Sequence, residues 1–183
     1  MINRTISLFL IIFLSPVFLF ISILILCFDG RPIFFWSKRV GINNTFFYMP
    51  KFRTMKKNSP DLPTHKLKNP QDYIIRFGSI LRKMSLDELP QLYSVYKGDI
   101  NFIGPRPALH NQTDLITKRT ANKIHKIPPG ITGWAQVNGR DNLSITEKVE
   151  LDYYYYRRRS FVLNIKILWL TIIKVFKASD ISV

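Results

Sequence analysis

At 183 residues, 46% of them apolar, the chain can build one packed domain but has no room for a second full one. Its 27 Lys and Arg against 12 Asp and Glu give a net charge of +15, which favours an anionic partner such as nucleic acid, lipid headgroups or a phosphorylated substrate. The lone Cys27 excludes an internal disulfide and a cysteine zinc site, and His65, His110 and His125 show no metal-ligand spacing.

The chain opens on a membrane segment. Ile6 to Phe28 are 23 consecutive uncharged residues rich in Leu, Ile and Phe, about 34 Å as a helix and long enough to span a bilayer. A signal peptide is the competing reading, but no small-residue cleavage pattern follows. Ser15-Pro16 sits at the midpoint, where proline removes a backbone donor and clashes with the preceding turn, so the helix is expected to bend or break. Arg4 lies before the segment, and Arg31, Lys38, Arg39, Lys51 and Arg53 lie after it. The positive-inside rule therefore draws both ends to the cytoplasmic side, as a re-entrant segment allows; charge alone fits a kinked spanning helix equally well.

Past Gly30 the sequence turns basic, and Ile33-Phe34-Phe35-Trp36 fits either an interfacial aromatic belt or a short core strand. Lys56 to Pro70 reads as a surface loop. A helix is expected over Ile74 to Lys83, with Ile74, Ile75, Phe77, Ile80 and Leu81 on one side, and a second from near Ser85 to Lys97, stopped by Gly98-Asp99. Residues 128–140, PPGITGWAQVNGR, suggest turns around a short strand or hairpin. Tyr153 to Tyr156, the triplet Arg157-Arg158-Arg159, and a helix carrying Ile165, Leu168, Trp169, Ile172, Val175 and Phe176 at helical spacing suggest an amphipathic helix in the headgroup layer. A core-facing helix is the plainer alternative.

The chemistry concentrates in SLDELPQL, Ser85 to Leu92. Ser85 and Glu88 could form an ordinary capping box, with Pro90 in the first turn. Alternatively the helix start binds phosphate and the two adjacent carboxylates divide the work. Neighbouring helical residues diverge by about 100°, so Asp87 and Glu88 do not face each other across a substrate. One can attack phosphorus while the other holds Mg²⁺, a hard cation suited to carboxylate and phosphate oxygens. In Gly104-Pro105-Arg106-Pro107 the prolines stiffen the backbone that carries a planar guanidinium, which suits bidentate phosphate contact; a proline-rich turn with a solvated arginine is the alternative. Lys51, Arg53, Arg82 and Arg140 supply further cations, each by itself an ordinary surface charge. Walker, Rossmann and nucleophile-elbow signatures are absent from the sequence.

Five strings occur together: LSP at Leu14 to Pro16, KFRTM at Lys51 to Met55, LRKMSLDELPQL at Leu81 to Leu92, KGDINFIGPRP at Lys97 to Pro107, and PPGITGWAQVNGR. In this order they resemble the bacterial sugar transferases, the monotopic phosphoglycosyl transferases, over nearly the whole chain from Leu14. The resemblance implies transfer of a sugar 1-phosphate from a UDP-sugar to polyprenyl (undecaprenyl) phosphate at the bacterial inner membrane, an early step of glycoconjugate synthesis. By the same resemblance Asp87 is the nucleophile that releases UMP, and Glu88, with Asp87, holds Mg²⁺. Arg82 and Arg106 match positions at the phosphates, and Ser15-Pro16 matches the break of a re-entrant helix. The family's LDLK-like pattern reads Leu163-Asn164-Ile165-Lys166 here, and its more basic opening is reduced to Asn3-Arg4.

The expected fold is α+β and predominantly helical: a membrane-embedded segment over residues 1–30, then a catalytic domain over 31–183 on the cytoplasmic face. That domain holds a small β and turn-rich element and C-terminal interfacial helices, and the chain looks like a minimal catalytic unit. The expected partners are a UDP-sugar, polyprenyl phosphate and membrane lipid rather than nucleic acid. A membrane-anchored basic protein that binds nucleic acid or anionic lipid without catalysis is the alternative; it leaves SLDELPQL and GPRP unexplained. No pattern selects a particular sugar or an oligomeric state.

Overall fold

The computed structural model describes residues 1–57, 59, 70–139 and 142–177. Most of the expected 56–70 loop lies outside these residues, as does Arg140.

The apolar opening folds as two helices, α1 (Ile2–Phe13) and α2 (Ser15–Asp29), bent by 59° across Leu14. Ser15 and Pro16 are the first two residues of α2, so the proline sits where a helix needs no intrahelical donor, and the bend falls just before it. No single described helix is long and apolar enough to cross a membrane, whereas this bent pair meets the length and composition required. Neither helix stands apart from the rest. Along α1, Asn3 Nδ2 donates to Asn101 Oδ1 at 2.9 Å and the buried Ser7 Oγ donates to Leu92 O at 2.5 Å. Along α2, Ile21 and Ile25 share a core with Phe52, Ile75 and Leu81.

An antiparallel hairpin follows, β1 (Phe34–Val40) with β2 (Phe46–Phe52), in the register Phe35 to Lys51 and Arg39 to Phe47. The aromatic cluster at its start is a strand, yet Phe34, Phe35 and Trp36 remain exposed, so it does not serve as the short core strand. Helix α3 covers only Gly78–Lys83. It starts later than expected because Ile74 pairs in a β-bridge with Met55, and the Ile75 amide donates to Thr54 O.

The second expected helix is broken. Ser85 adopts a left-handed conformation (φ 55°), Leu86–Glu88 form a 3₁₀ turn, and α4 proper is Gln91–Lys97. Ser85 makes no side-chain cap, and the Glu88 carboxylate reaches other segments, so the capping box is replaced by tertiary pairing. Gly98 ends α4 at φ 91°, a backbone geometry that glycine adopts without strain. The Arg4 guanidinium lies against its open face, a cation at a helix C-terminus.

Residues 130–132 form no hairpin. They make β4 (Gly130–Thr132), which pairs in parallel with β3 (Asn101–Ile103), and WAQV turns into a short helix, α6 (Trp134–Val137). Between them runs α5 (Thr113–Ala121), and the chain then continues in α7 (Ile145–Arg158) and α8 (Phe161–Lys177). Ile167 on α8 is fully buried, with Leu163 and Leu170 packed beside it. The other side carries Ile165, Leu168, Trp169, Ile172 and Val175 to solvent. The helix is thus core-facing on one side and apolar-exposed on the other, which the two sequence readings divided between them. Asn164, standing where the resemblance expects an acid, accepts a hydrogen bond from Tyr155 OH at 3.0 Å.

The β3–β4 crossing demands small residues. A Cβ on Gly130 would lie 2.1 Å from the Gly104 nitrogen and 2.5 Å from the Ile103 carbonyl carbon, backbone atoms that cannot rotate away. Gly130→Ala is therefore expected to destabilise the protein by about 2–3 kcal/mol, the upper part of the range for overpacking. Denaturant melts in detergent check this, and an unchanged midpoint would contradict the close approach.

Candidate active site

Three separated segments bring their charges to one place. The 3₁₀ turn carries Asp87 and Glu88, flanked by Leu86 and Leu89, which pack onto the Ile21–Phe52–Leu81 core and so fix the turn. Strand β2 delivers Lys51, whose Nζ is 2.7 Å from Glu88 Oε1. The Gly104–Pro107 loop delivers Arg106, with Nη2 at 2.5 Å from Glu88 Oε1 and Nη1 at 3.4 Å from Oε2. Glu88 is thus held from two sides, by an ammonium and by a guanidinium fork.

Asp87 is 7% exposed. Burial pushes its carboxyl above the ordinary value of 3.8 and the neighbouring Glu88 pushes the same way, while Lys51, Arg82 and Arg106 pull it back. Lys51 is lowered from 10.5, mainly by burial, against the pull of Glu88 and Asp87. Both shifts have one cause: the cluster is largely withdrawn from water, where a charge persists only beside its opposite.

Next to this cluster lies a cavity of about 310 Å³. Ser85, Glu88, Arg106, Thr132 and Gln136 contribute to its polar part, the helix bend at Leu14, with Leu10 and Leu89, lines its apolar part, and α8 adds Thr171, Lys174 and Val175. Asp87 does not line the cavity; its neighbour Glu88 does. An apolar chamber with a few convergent charges is the usual form of a small-molecule site.

Of the cations singled out from sequence, Lys51, Arg82 and Arg106 act on the Asp87–Glu88 pair. Arg53 does not join them. It is buried, and its Nη2 donates to the carbonyls of Asp29 and Gly30, tying the end of α2 to the domain. The Ser15 hydroxyl is exposed and forms no hydrogen bond among the described residues; the bend is closed by backbone bonds at Leu14 and Phe18 instead. No group of three or more His, Cys, Asp or Glu side chains is arranged to hold a metal among the described residues.

The bacterial sugar transferase family model matches residues 1–178. This chain belongs to the bacterial sugar transferase family and is a transferase. It is 39% identical over 180 residues to the uncharacterized sugar transferase EpsL of Bacillus subtilis, covering 98% of this chain and 88% of that protein. It is 35% identical over 186 residues to an undecaprenyl-phosphate glucose phosphotransferase of Komagataeibacter xylinus, covering 93% of this chain and 34% of that one. Another relative is the UDP-glucose:undecaprenyl-phosphate glucose-1-phosphate transferase of Escherichia coli, 35% identical over 174 residues, with 91% of this chain and 38% of the other protein covered. The chain therefore spans most of EpsL and little more than a third of the other two.

Proposed function

We propose that this transferase moves a sugar 1-phosphate from a UDP-sugar to undecaprenyl or a similar polyprenyl phosphate, through a covalent intermediate on Asp87. The observation that carries the reading is a buried Asp87–Glu88 pair ringed by Lys51, Arg82 and Arg106, placed where an apolar cavity meets the helix bend. A diphosphate needs the cations; a prenyl chain needs the apolar wall.

In the proposed reaction an Asp87 carboxylate oxygen attacks the β-phosphorus of the UDP-sugar. The bond from that phosphorus to the bridging oxygen breaks, and UMP departs with the electron pair. A phosphate oxygen of the lipid then attacks the same phosphorus, returning the carboxylate and forming a lipid diphosphosugar. Lys51, Arg82 and Arg106 offset the repulsion that otherwise opposes carboxylate attack on a diphosphate. Mg²⁺ fits this donor set: two adjacent carboxylates are too few for a protein cage, but suffice when substrate phosphates and water complete the shell. Asp87 and Glu88 would hold it, and when bound it would supply charge neutralisation.

The membrane placement belongs to the same proposal. Asn3 at one end of the bent pair bonds to Asn101, and the Asp29 and Gly30 carbonyls at the other end bond to Arg53. Both ends thus attach to the same folded body, as a re-entrant segment entering and leaving one leaflet requires. The exposed apolar faces of α1, α2 and α8 fit contact with lipid. With a UDP-sugar as donor, the proposal has residues 1–30 embedded and the catalytic domain that follows on the cytoplasmic face of the bacterial inner membrane.

Detergent-solubilised protein is expected to release UMP from at least one of a panel of UDP-sugars, dependent on Mg²⁺. Arg106→Lys keeps the charge and loses the fork, so its rate should fall roughly 10- to 100-fold, the equivalent of one hydrogen bond to a charged group. Near-normal turnover in that variant would mean that the planar fork of Arg106 does not meet the substrate phosphates.

For topology, Ile2→Cys in a Cys27→Ser background places a thiol beside Asn3 without disturbing its bond. An impermeant thiol reagent should label it only after cells are opened. Labelling in intact cells would mean that the pair spans the bilayer.

A further inference from the structure

The Gly104–Pro107 loop holds Arg106 in a way the sequence does not announce. Two prolines remove two amide donors, so the loop can be fastened mainly through its carbonyl oxygens. Four consecutive carbonyls, from Pro105 to Ala108, are taken by three elements, β4, α5 and β1. Pro105 O accepts from the Gly130 amide at 3.0 Å, Arg106 O from Arg119 Nη1 at 2.8 Å, Pro107 O from Arg39 Nη1 at 3.1 Å, and Ala108 O from the Val40 amide at 3.0 Å.

Arg119, in the last turn of α5, is also bound to Asp152 of α7, with Nε at 3.0 Å and Nη2 at 2.5 Å from one carboxylate oxygen. Asp152 is 1% exposed and the Arg119 side chain 12%. A buried guanidinium one residue's backbone away from Arg106 would otherwise add to its positive charge; the aspartate cancels that charge and still leaves Nη1 to hold the carbonyl. A buried ion pair by itself is weak grounds for function. Here the pair has a third partner, and that partner is the main chain of the residue whose side chain grips Glu88.

We propose that Arg119, fixed by Asp152, is a positioning residue for the reaction: it holds the Arg106 backbone so that the Arg106 fork meets Glu88 and the substrate phosphates. This rests on the proposed function for its catalytic consequence, but the anchoring itself does not. Lysine at 119 could pair with Asp152 or reach the carbonyl, yet a point donor lacks the planar spread that serves both at once.

The test is a double-mutant cycle on UMP release. Arg119→Lys should lower the rate about tenfold when Arg106 is present and by less than about twofold in an Arg106→Ala background, since coupled residues are non-additive. Equal factors in both backgrounds would overturn the proposal. Asp152→Asn, which keeps the side-chain size, runs through the same cycle should Arg119→Lys be poorly folded. If melts show both variants unfolded, the pair is a general determinant of the fold and the proposal fails. Hydrogen exchange gives a readout independent of activity. Amides in residues 104–109 should exchange faster in either variant while those of β2 are unchanged, and unaltered exchange in 104–109 would overturn the anchoring. An absence of UMP release from the unmutated protein would count against the proposed function alone and leave the exchange result standing.

Discussion

Glu88 accepts from Lys51 and Arg106 at the same time, and that three-way contact joins the proline-bounded loop to strand β2 and the acidic turn, which also meet in the core through Phe52, Leu86 and Leu89. Strand β2, the 3₁₀ turn and the proline-bounded loop each bring a charge into a region largely shielded from water, where none would be stable alone. Satisfying those charges dictates several local choices. The helix expected from Ser85 breaks into a turn because the Glu88 side chain is drawn outward to its partners instead of back to a cap. The loop that carries Arg106 is secured through consecutive carbonyls, and Gly104 and Gly130 let β3 and β4 approach closely enough to support it.

The second constraint is apolar. Helices α1 and α2 meet at Leu14, and the bend brings Leu10 and Leu14 to the cavity beside Glu88 and Arg106 while Ile21 and Ile25 enter the core under the acidic turn. One break thereby does two jobs: it turns an apolar segment so that both of its ends bond to the folded body, and it shapes one wall of the site. A straight helix from Ile2 to Asp29 would project its far end well away from the charges. In the proposed reaction this arrangement lets a water-soluble diphosphate and a lipid phosphate reach the same carboxylate without either crossing the membrane.

Much of this was legible in the sequence, and the illegible parts have physical reasons. The break at Leu14-Ser15-Pro16, the stop at Gly98 and the convergence of Asp87, Glu88, Arg82, Lys51 and Arg106 follow from local chemistry and the resemblance. That Arg53 stands apart from this cluster is not legible, because a buried arginine and a ligand arginine look alike in one dimension; only the fold reveals that it holds the Asp29 and Gly30 carbonyls. The parallel pairing of β3 with β4 joins residues about thirty positions apart and leaves no alternation to read in three-residue strands. Arg119 and Asp152 were missed as well, although a signal existed. Val149, Asp152 and Tyr155 recur at three-residue spacing on the buried face of α7, and a carboxylate on such a face demands a partner. Ile165, Leu168, Trp169, Ile172 and Val175 of α8 lie on its exposed side; amphipathic spacing identifies a face without saying whether protein or lipid covers it.

The central claim is that Asp87 itself carries the phosphosugar. Intact-mass and peptide analysis of the protein incubated with Mg²⁺ and a reactive UDP-sugar, with no lipid phosphate present, tests it most directly. The account predicts a sugar phosphate adduct on Asp87, with UMP released in step, and neither signal from Asp87→Asn. An adduct on another residue, with Asp87→Asn still active, would contradict it.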